Sequence, residues 1–136
     1  MLIRHFQKIT IIKGIRPSHK DINEELQFFG NSLGLFNLRD KDKSCFRIFI
    51  ELLKASKKNS PLTSDEIAEK LKLSRGTVVH HINKLMEAGI VVNQGNKYML
   101  RVNNLELLIE EIERDIKRNL EDLRNVAGDI DKRLGL

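Results

Sequence analysis

Residues 62–100 read LTSDEIAEKLKLSRGTVVHHINKLMEAGIVVNQGNKYML, and this stretch decides the fold. It holds a short helix, a tight turn, a longer helix with a polar face, and a hairpin. Thr63 and Glu66 form a T-x-x-E box. The threonine hydroxyl accepts from the amide three residues on, and the glutamate reaches back to the cap amide. Ile67, Ala68 and Leu71 then share one helical face. Lys72 stands where glycine would be the easy turn residue, so a left-handed backbone is expected there. Leu73 is apolar and should plug the space between the two helices, and Ser74 caps the second one.

The second helix is predicted over 75–88. Val78, Ile82, Leu85 and Met86 are spaced to face inward. The other face carries Arg75, Gly76, Thr77, Val79, His80, Asn83 and Lys84. Gly89 is placed to end the helix in a left-handed cap. Ile90, Val91 and Val92 begin a strand, and Tyr98, Met99 and Leu100 form its return. Residues 93–97 (NQGNK) lie between them with turn chemistry. A helix pair of this kind holds its second helix at an angle suited to a DNA major groove. A hairpin tip beside it is a wing, suited to backbone phosphates or the minor groove.

The run LSRGTVVHHINKLMEAGIV resembles the recognition helix and wing start of winged helix-turn-helix transcriptional regulators. It is most similar to the ArsR-like group and its T-V-x-H-H-L-x-x-L-x-x-A-G-L-V pattern. Thr77, Val78, His80, His81, Ile82, Leu85, Ala88, Gly89, Ile90 and Val91 match that pattern in place. The resemblance covers about the middle third of the chain. It implies a winged-helix fold, mainly α with a small β wing, and a transcriptional regulator whose partner is double-stranded DNA. Winged helices also serve as protein-interaction modules in larger assemblies, and this is the alternative reading. ArsR-like metal sensors carry a paired-cysteine motif, whereas this chain has only Cys45. Metal sensing is therefore not implied.

Charge distribution agrees with a nucleic-acid partner. From residue 104 onward there are six Lys/Arg against nine Asp/Glu, a net of −3, so the rest carries +8 of the total +5. A basic body with a mildly acidic tail suits a DNA-binding head with a separate association helix. Basic proteins that touch no nucleic acid are common, so charge alone does not decide the point.

The tail is predicted as one helix over 104–134. Leu105, Ile109, Ile112, Ile116, Leu120, Leu123, Ala127, Ile130 and Leu134 step by threes and fours. This is a heptad seam with one extra four-step between Ile116 and Leu120, a stutter. Glu, Lys and Arg fill the flanks. Such a seam needs cover, either from a second copy or from the chain's own N-terminal helices. The flanks favour a homodimer held by Leu105, Ile109, Ile112, Ile116, Leu120, Leu123 and Ile130.

Upstream, a helix starts at Asp42 or Ser44 and runs to about Lys57, with Phe46, Phe49, Ile50 and Leu53 inward and Ile48 and Leu52 adding contact. Lys57 and Lys58 lie in the following loop, where a charge pair is more often solvated than phosphate-bound. Ile3, Phe6, Ile9, Ile11, Ile12 and Ile15 suggest one or two strands, broken by Gly14 and Pro17. A short helix follows over 21–29, and Gly30, Asn31 and Gly34 should loosen the chain before Leu35 and Phe36. The expected organisation is an arm over 1–39, a winged helix-turn-helix over 40–102 and a dimerisation helix over 103–136.

No enzyme is indicated. The chain has no phosphate-binding glycine loop, C-x-x-C pair, H-E-x-x-H or G-x-S-x-G. His80 and His81 point about 100° apart on a helix and are poorly placed to share a metal. His80 is expected to face the groove, and His81 to sit at the edge of the core. His5 and His19 offer no ligand spacing, and no cofactor is called for. Cys45 is expected to be a small core residue, and a lone cysteine suits a reducing cytoplasm. No apolar run approaches the ~20 residues of a membrane span, and the N-terminus lacks the unbroken apolar centre of a signal peptide.

The expected DNA contacts follow from residue chemistry. Arg75 suits a guanine edge or a phosphate, while Thr77, Val79, His80 and Asn83 suit base edges or thymine methyls. Lys84, Lys97 and Arg101 suit phosphates, and Asn96 at the wing tip is a further DNA-contact candidate. Ser64 and Ser74 open the two helices, where amides and hydroxyls point outward. Gly76 lets the helix start come close to DNA, or is simply a tolerated small residue. The operator, the regulated process and any small-molecule effector are not legible.

Overall fold

The computed structural model of the chain describes residues 6–18, 21–36 and 43–136. Within them the order is α1 (Ile22–Ser32), α2 (Ser44–Lys57), β1 (Leu62–Thr63), α3 (Ser64–Leu71), α4 (Arg75–Glu87), β2 (Val91–Gln94), β3 (Lys97–Leu100) and α5 (Leu105–Leu134). The expected positions of Ile3, His5, His19 and Asp42 lie outside the described residues.

The core forms where α2 crosses α4 and β3. Ile48, Phe49 and Leu52 of α2 meet Ile67, Val78, Ile82, Leu85, Ile90, Leu100 and Leu108. Ile48 and Leu52 are therefore central, while Phe46, Ile50 and Leu53 are partly buried. The inward face is turned from the one expected because α2 is covered on several sides, by α3 and α4 and by the wing. Ser56, buried on α2, accepts the Leu100 amide at 3.2 Å and ties the wing to the helix layer. Arg47 donates to the Leu71 carbonyl at 2.8 Å, satisfying an orphan group at the end of α3.

The sheet is antiparallel with order β1-β3-β2. Its third strand, β1, was not anticipated. Leu62 and Thr63 pair with Tyr98 and Lys97, and two residues are too few to show alternation. The wing is also longer than expected. Asn93 pairs with Tyr98 and Gln94 with Lys97. The turn therefore shrinks to Gly95 and Asn96, with Gly95 at φ +68. Glycine first in a two-residue loop is a favoured hairpin solution.

α1 runs three residues past its expected end, through Gly30. That glycine is a packing residue, not a loosening one. A Cβ there would lie 2.7 Å from the Phe36 ring and 2.9 Å from that of Phe46. The two rings stack at 4.7 Å, and Phe29 and Phe49 extend the cluster.

The predicted N-terminal strands are absent from residues 6–18, which form no regular element. The reason lies in what surrounds them, helix ends rather than strand edges. The Lys8 amide donates to Glu87 O and the Ile12 amide to Ser32 O, both at 2.8 Å. The arm thus meets carbonyls left over at the ends of α4 and α1.

α5 starts at its Asn104 cap, whose Oδ1 accepts the Leu107 amide at 2.9 Å. Its first turns pack on the head through Leu108 and Ile112, with Leu105 and Ile116 partly buried. From residue 117 to the end, every position is exposed. The fold-back cover therefore holds for the first part of the seam, and the rest stands clear of the described chain. Ile112, expected at a dimer seam, is buried in the chain's own core.

Candidate nucleic-acid interface

The helix pair is locked by local hydrogen bonds. Thr63 Oγ1 accepts the Glu66 amide at 3.1 Å, and Glu66 Oε1 accepts the Thr63 amide at 2.9 Å. These bonds, with the nearby charge of Lys97, hold the Glu66 carboxyl below its usual range. Lys72 adopts the left-handed conformation at φ 58, as the turn requires. Leu73 then packs partly buried against the core. Ser74 Oγ accepts the Thr77 amide at 3.1 Å and donates to Thr77 Oγ1 at 2.8 Å. Both hydroxyls expected at a DNA contact are thus already engaged in the cap.

α4 divides into two faces. Val78, His81, Ile82 and Leu85 are buried. Arg75, Gly76, Val79, His80, Asn83 and Lys84 are exposed on the opposite side. The two histidine rings are 5.3 Å apart but tilted by 59°, with one in solvent and one at the core edge as expected. Ser64 and Thr77 are half-buried at the helix starts. Gly89, at φ +79, ends the helix. A Cβ at Gly76 would meet nothing within 4 Å. Packing within the chain therefore does not demand a glycine there.

Arg75 makes a loose pair with Asp65 at 3.5 Å, both side chains about three-quarters exposed. Such a pair restrains little and exchanges readily for a stronger anion. Asn96 and Lys97 are exposed on the wing, and β1, which pairs with the wing's return strand β3, leads directly into α3. Wing and helix pair are therefore one rigid unit.

Arg101 departs from expectation. It does not reach outward to a phosphate but is held inward by Asp115, at 2.5 Å and 3.2 Å through two nitrogens. Arg101 Nε also lies 3.9 Å from Glu111. Asp115 further accepts from Gln7 at 2.9 Å and from Arg118 at 2.7 Å. The Arg101 guanidinium holds the Asp115 carboxyl down at about 2, against the upward push of burial, with Gln7 and Arg118 adding to the effect. Asp115 in turn keeps Arg101 firmly protonated. Sequence reasoning missed this network because none of its members is close in the chain to all the others. The one available signal was an aspartate next to Ile116 on the otherwise apolar face of a helix.

Sequence reasoning also missed Lys8. The arm brings it beside Lys84 at a cavity of about 220 Å³ that Thr10, Leu33 and Cys45 also line. Cys45 is buried, as expected of a small core residue. Among the described residues no group of three or more His, Cys, Asp or Glu is placed to hold a metal ion. No described helix is long and apolar enough to cross a membrane.

The capped helix pair, the crossing α2 and the three-stranded wing define a winged helix-turn-helix protein. Residues 50–92, from mid-α2 into β2, match the family model described as bacterial regulatory protein, arsR family. The match supports an ArsR-like winged helix-turn-helix and, with it, DNA-binding transcription regulation. No curated protein and no solved structure matches it.

Proposed function

We propose that the chain is a sequence-specific regulator that binds double-stranded DNA as a homodimer, with α4 in the major groove and the wing on the backbone or in the minor groove. The observation that carries this reading is the division of α4. Its apolar side is sunk in the core, and Arg75, Val79, His80 and Asn83 stand exposed on the other. Among the described residues the arm hydrogen-bonds to α4 only at its C-terminal end, at Glu87 and Ala88. Among the described residues the outer face is left open.

In this reading Arg75 takes a guanine edge or a phosphate, and Thr77, Val79, His80 and Asn83 read neighbouring base edges. Lys84, Asn96 and Lys97 meet phosphates, and the starts of α3 and α4 at Ser64 and Ser74 present amides to the backbone. Arg101 drops out of the direct contacts and acts as the anchor between wing and α5. The working division is an arm over 1–39, a head over 40–102 and a helix over 103–136, the first turns of that helix packed on the head. Two heads place their recognition helices in successive grooves, ~34 Å or a multiple apart. The site of action is the cytoplasm, where a lone thiol stays reduced.

An electrophoretic shift with random duplex DNA at two salt concentrations tests the reading. Binding that weakens steeply with salt is expected. No shift at low salt points instead to a protein-interaction module.

A further inference from the structure

The cavity of about 220 Å³ at the end of α4 has no part in reading DNA. Four pieces of the chain wall it: the arm, the turn after α1, the first turn of α2 and the last turns of α4. The arm is fixed as one of these walls. Its Lys8 amide donates to Glu87 O and its Ile12 amide to Ser32 O, both at 2.8 Å. A Cβ at Gly34 would lie 2.8 Å from Thr10 Cγ2, so the arm also lies tight on the turn after α1. The space enclosed between these contacts is a built feature of the fold.

The lining is divided by chemistry. Leu33, Leu35, Cys45 and Leu85 are buried and form an apolar floor. Lys8, Lys84 and Glu87 are exposed and form a charged rim, beside the half-buried Thr10. Among the described residues none of these three charged side chains has an ion-pair or hydrogen-bond partner. A few well-placed polar groups around an apolar floor are the usual lining of a ligand site. Two ammonium groups against one carboxylate leave the rim with one net positive charge, which suits a single negative charge. A phosphate dianion would meet Glu87 as a like charge and would have nothing apolar to set on the floor. A carboxylate gains charge-assisted hydrogen bonds from both lysines, and an apolar body behind it gains from leaving water. Size sets the limit. A cavity of ~150 Å³ in another protein holds benzene, so this one takes an acid of roughly four to six carbons.

We infer that this cavity binds a small monocarboxylate with an apolar body, its carboxylate between Lys8 and Lys84 and its body on Leu33, Leu35 and Leu85. Lys84 is also the residue assigned above to a DNA phosphate, so acid and DNA draw on one ammonium group. The acid therefore weakens DNA binding, and DNA weakens acid binding by the same factor. This link rests on the DNA-binding reading proposed above, whereas the pocket does not.

The test uses the full chain, with 3-methylbutanoate as the probe and its uncharged amide, 3-methylbutanamide, as a control of the same shape. Backbone amide shifts are followed by NMR without DNA. The acid should saturate with a millimolar dissociation constant, as befits so small a probe, and shift the amides of Lys8, Gly34, Cys45 and Glu87. The uncharged control, and the acid with Lys8→Gln, should each bind roughly tenfold more weakly. Lys8 is exposed, so this variant keeps the fold. In an electrophoretic shift at matched ionic strength, the acid should weaken DNA binding about fivefold or more, and less so for Lys8→Gln. No saturable shift at tens of millimolar acid, or an uncharged control that binds as tightly, would overturn the site. Inorganic phosphate saturating the same amides more tightly than the acid would overturn the monocarboxylate. Saturable acid binding with DNA affinity unchanged would overturn the link through Lys84 and leave the pocket standing. DNA binding absent even without acid would overturn the regulator reading and the link with it, while the shifts alone decide the pocket.

Discussion

Arg101, just past the wing, grips Asp115 on the third turn of α5 through two nitrogens, at 2.5 Å and 3.2 Å. Asp115 is only 5% exposed and also holds Gln7 of the arm and Arg118. One carboxylate thus joins arm, wing and long helix. The same Gln7 amide reaches the Ala88 carbonyl at 3.3 Å, which brings in the end of α4. A change at this carboxylate should be felt by every element that positions the DNA-facing surface.

The first expectation concerns acid stability. The Asp115 carboxyl is lowered in the folded chain to about 2. A group lowered on folding contributes stability above its unfolded value near 4, and loses it as pH falls through the folded value. Asp115 should therefore supply on the order of 2 kcal/mol at neutral pH, fading between about pH 4 and pH 2. Urea unfolding of Asp115→Asn should show that loss at pH 7, and a smaller difference from the parent at pH 3. An equal difference at both values would refute the assignment.

Gly76 offers a cleaner separation of stability from binding. Nothing inside the chain crowds a Cβ there, and alanine is favoured over glycine in a helix by about 1 kcal/mol, with the first turn at the low end. Gly76→Ala should raise the melting temperature by a few degrees and weaken DNA binding by blocking close approach. If affinity is unchanged or improved, the glycine is merely tolerated.

How legible this surface was in the sequence differs from element to element. The Thr63–Glu66 box, the left-handed Lys72, the Ser74 cap and the Gly89 stop are local, and each signal lies within four residues of its effect. They were legible, and the structure contains all four. The arm was not legible, because its conformation is set by carbonyls at Ser32 and Glu87 that are distant in sequence from their donors. Arg101 was misjudged for the same reason. A basic residue after a wing suggests a phosphate until its acidic partner, fourteen positions on, is seen to fold against it. Leu108 shows the limit of a period. The seam count passed over it in favour of Ile109, yet Leu108 is fully buried and Ile109 is 41% exposed. Once a helix packs on a wing and a helix together, its buried stripe follows the shape of that surface and not a heptad.

Arg75 should contribute to recognition without contributing to the fold. Its pair with Asp65 is exposed and loose, so Arg75→Ala should leave unfolding within about 0.5 kcal/mol of the parent. Binding to a selected site should weaken by about 1–3 kcal/mol, with relaxed specificity at one base pair. An unchanged footprint would remove the base-reading role.

Lys97 should behave as a phosphate contact. Lys97→Ala should weaken binding to all duplexes alike and lower the slope of log affinity against log salt by about one per site. Arg101→Ala should differ in kind, because its partner is Asp115. It should cost stability and leave the salt slope nearly unchanged.

Selection of bound duplexes from a random oligonucleotide pool bears most directly on the central claim. The account predicts enrichment of a two-fold symmetric site whose half-sites are read by α4, with enrichment lost for Arg75→Ala. Recovery of unenriched sequence from a folded, dimeric preparation would contradict it.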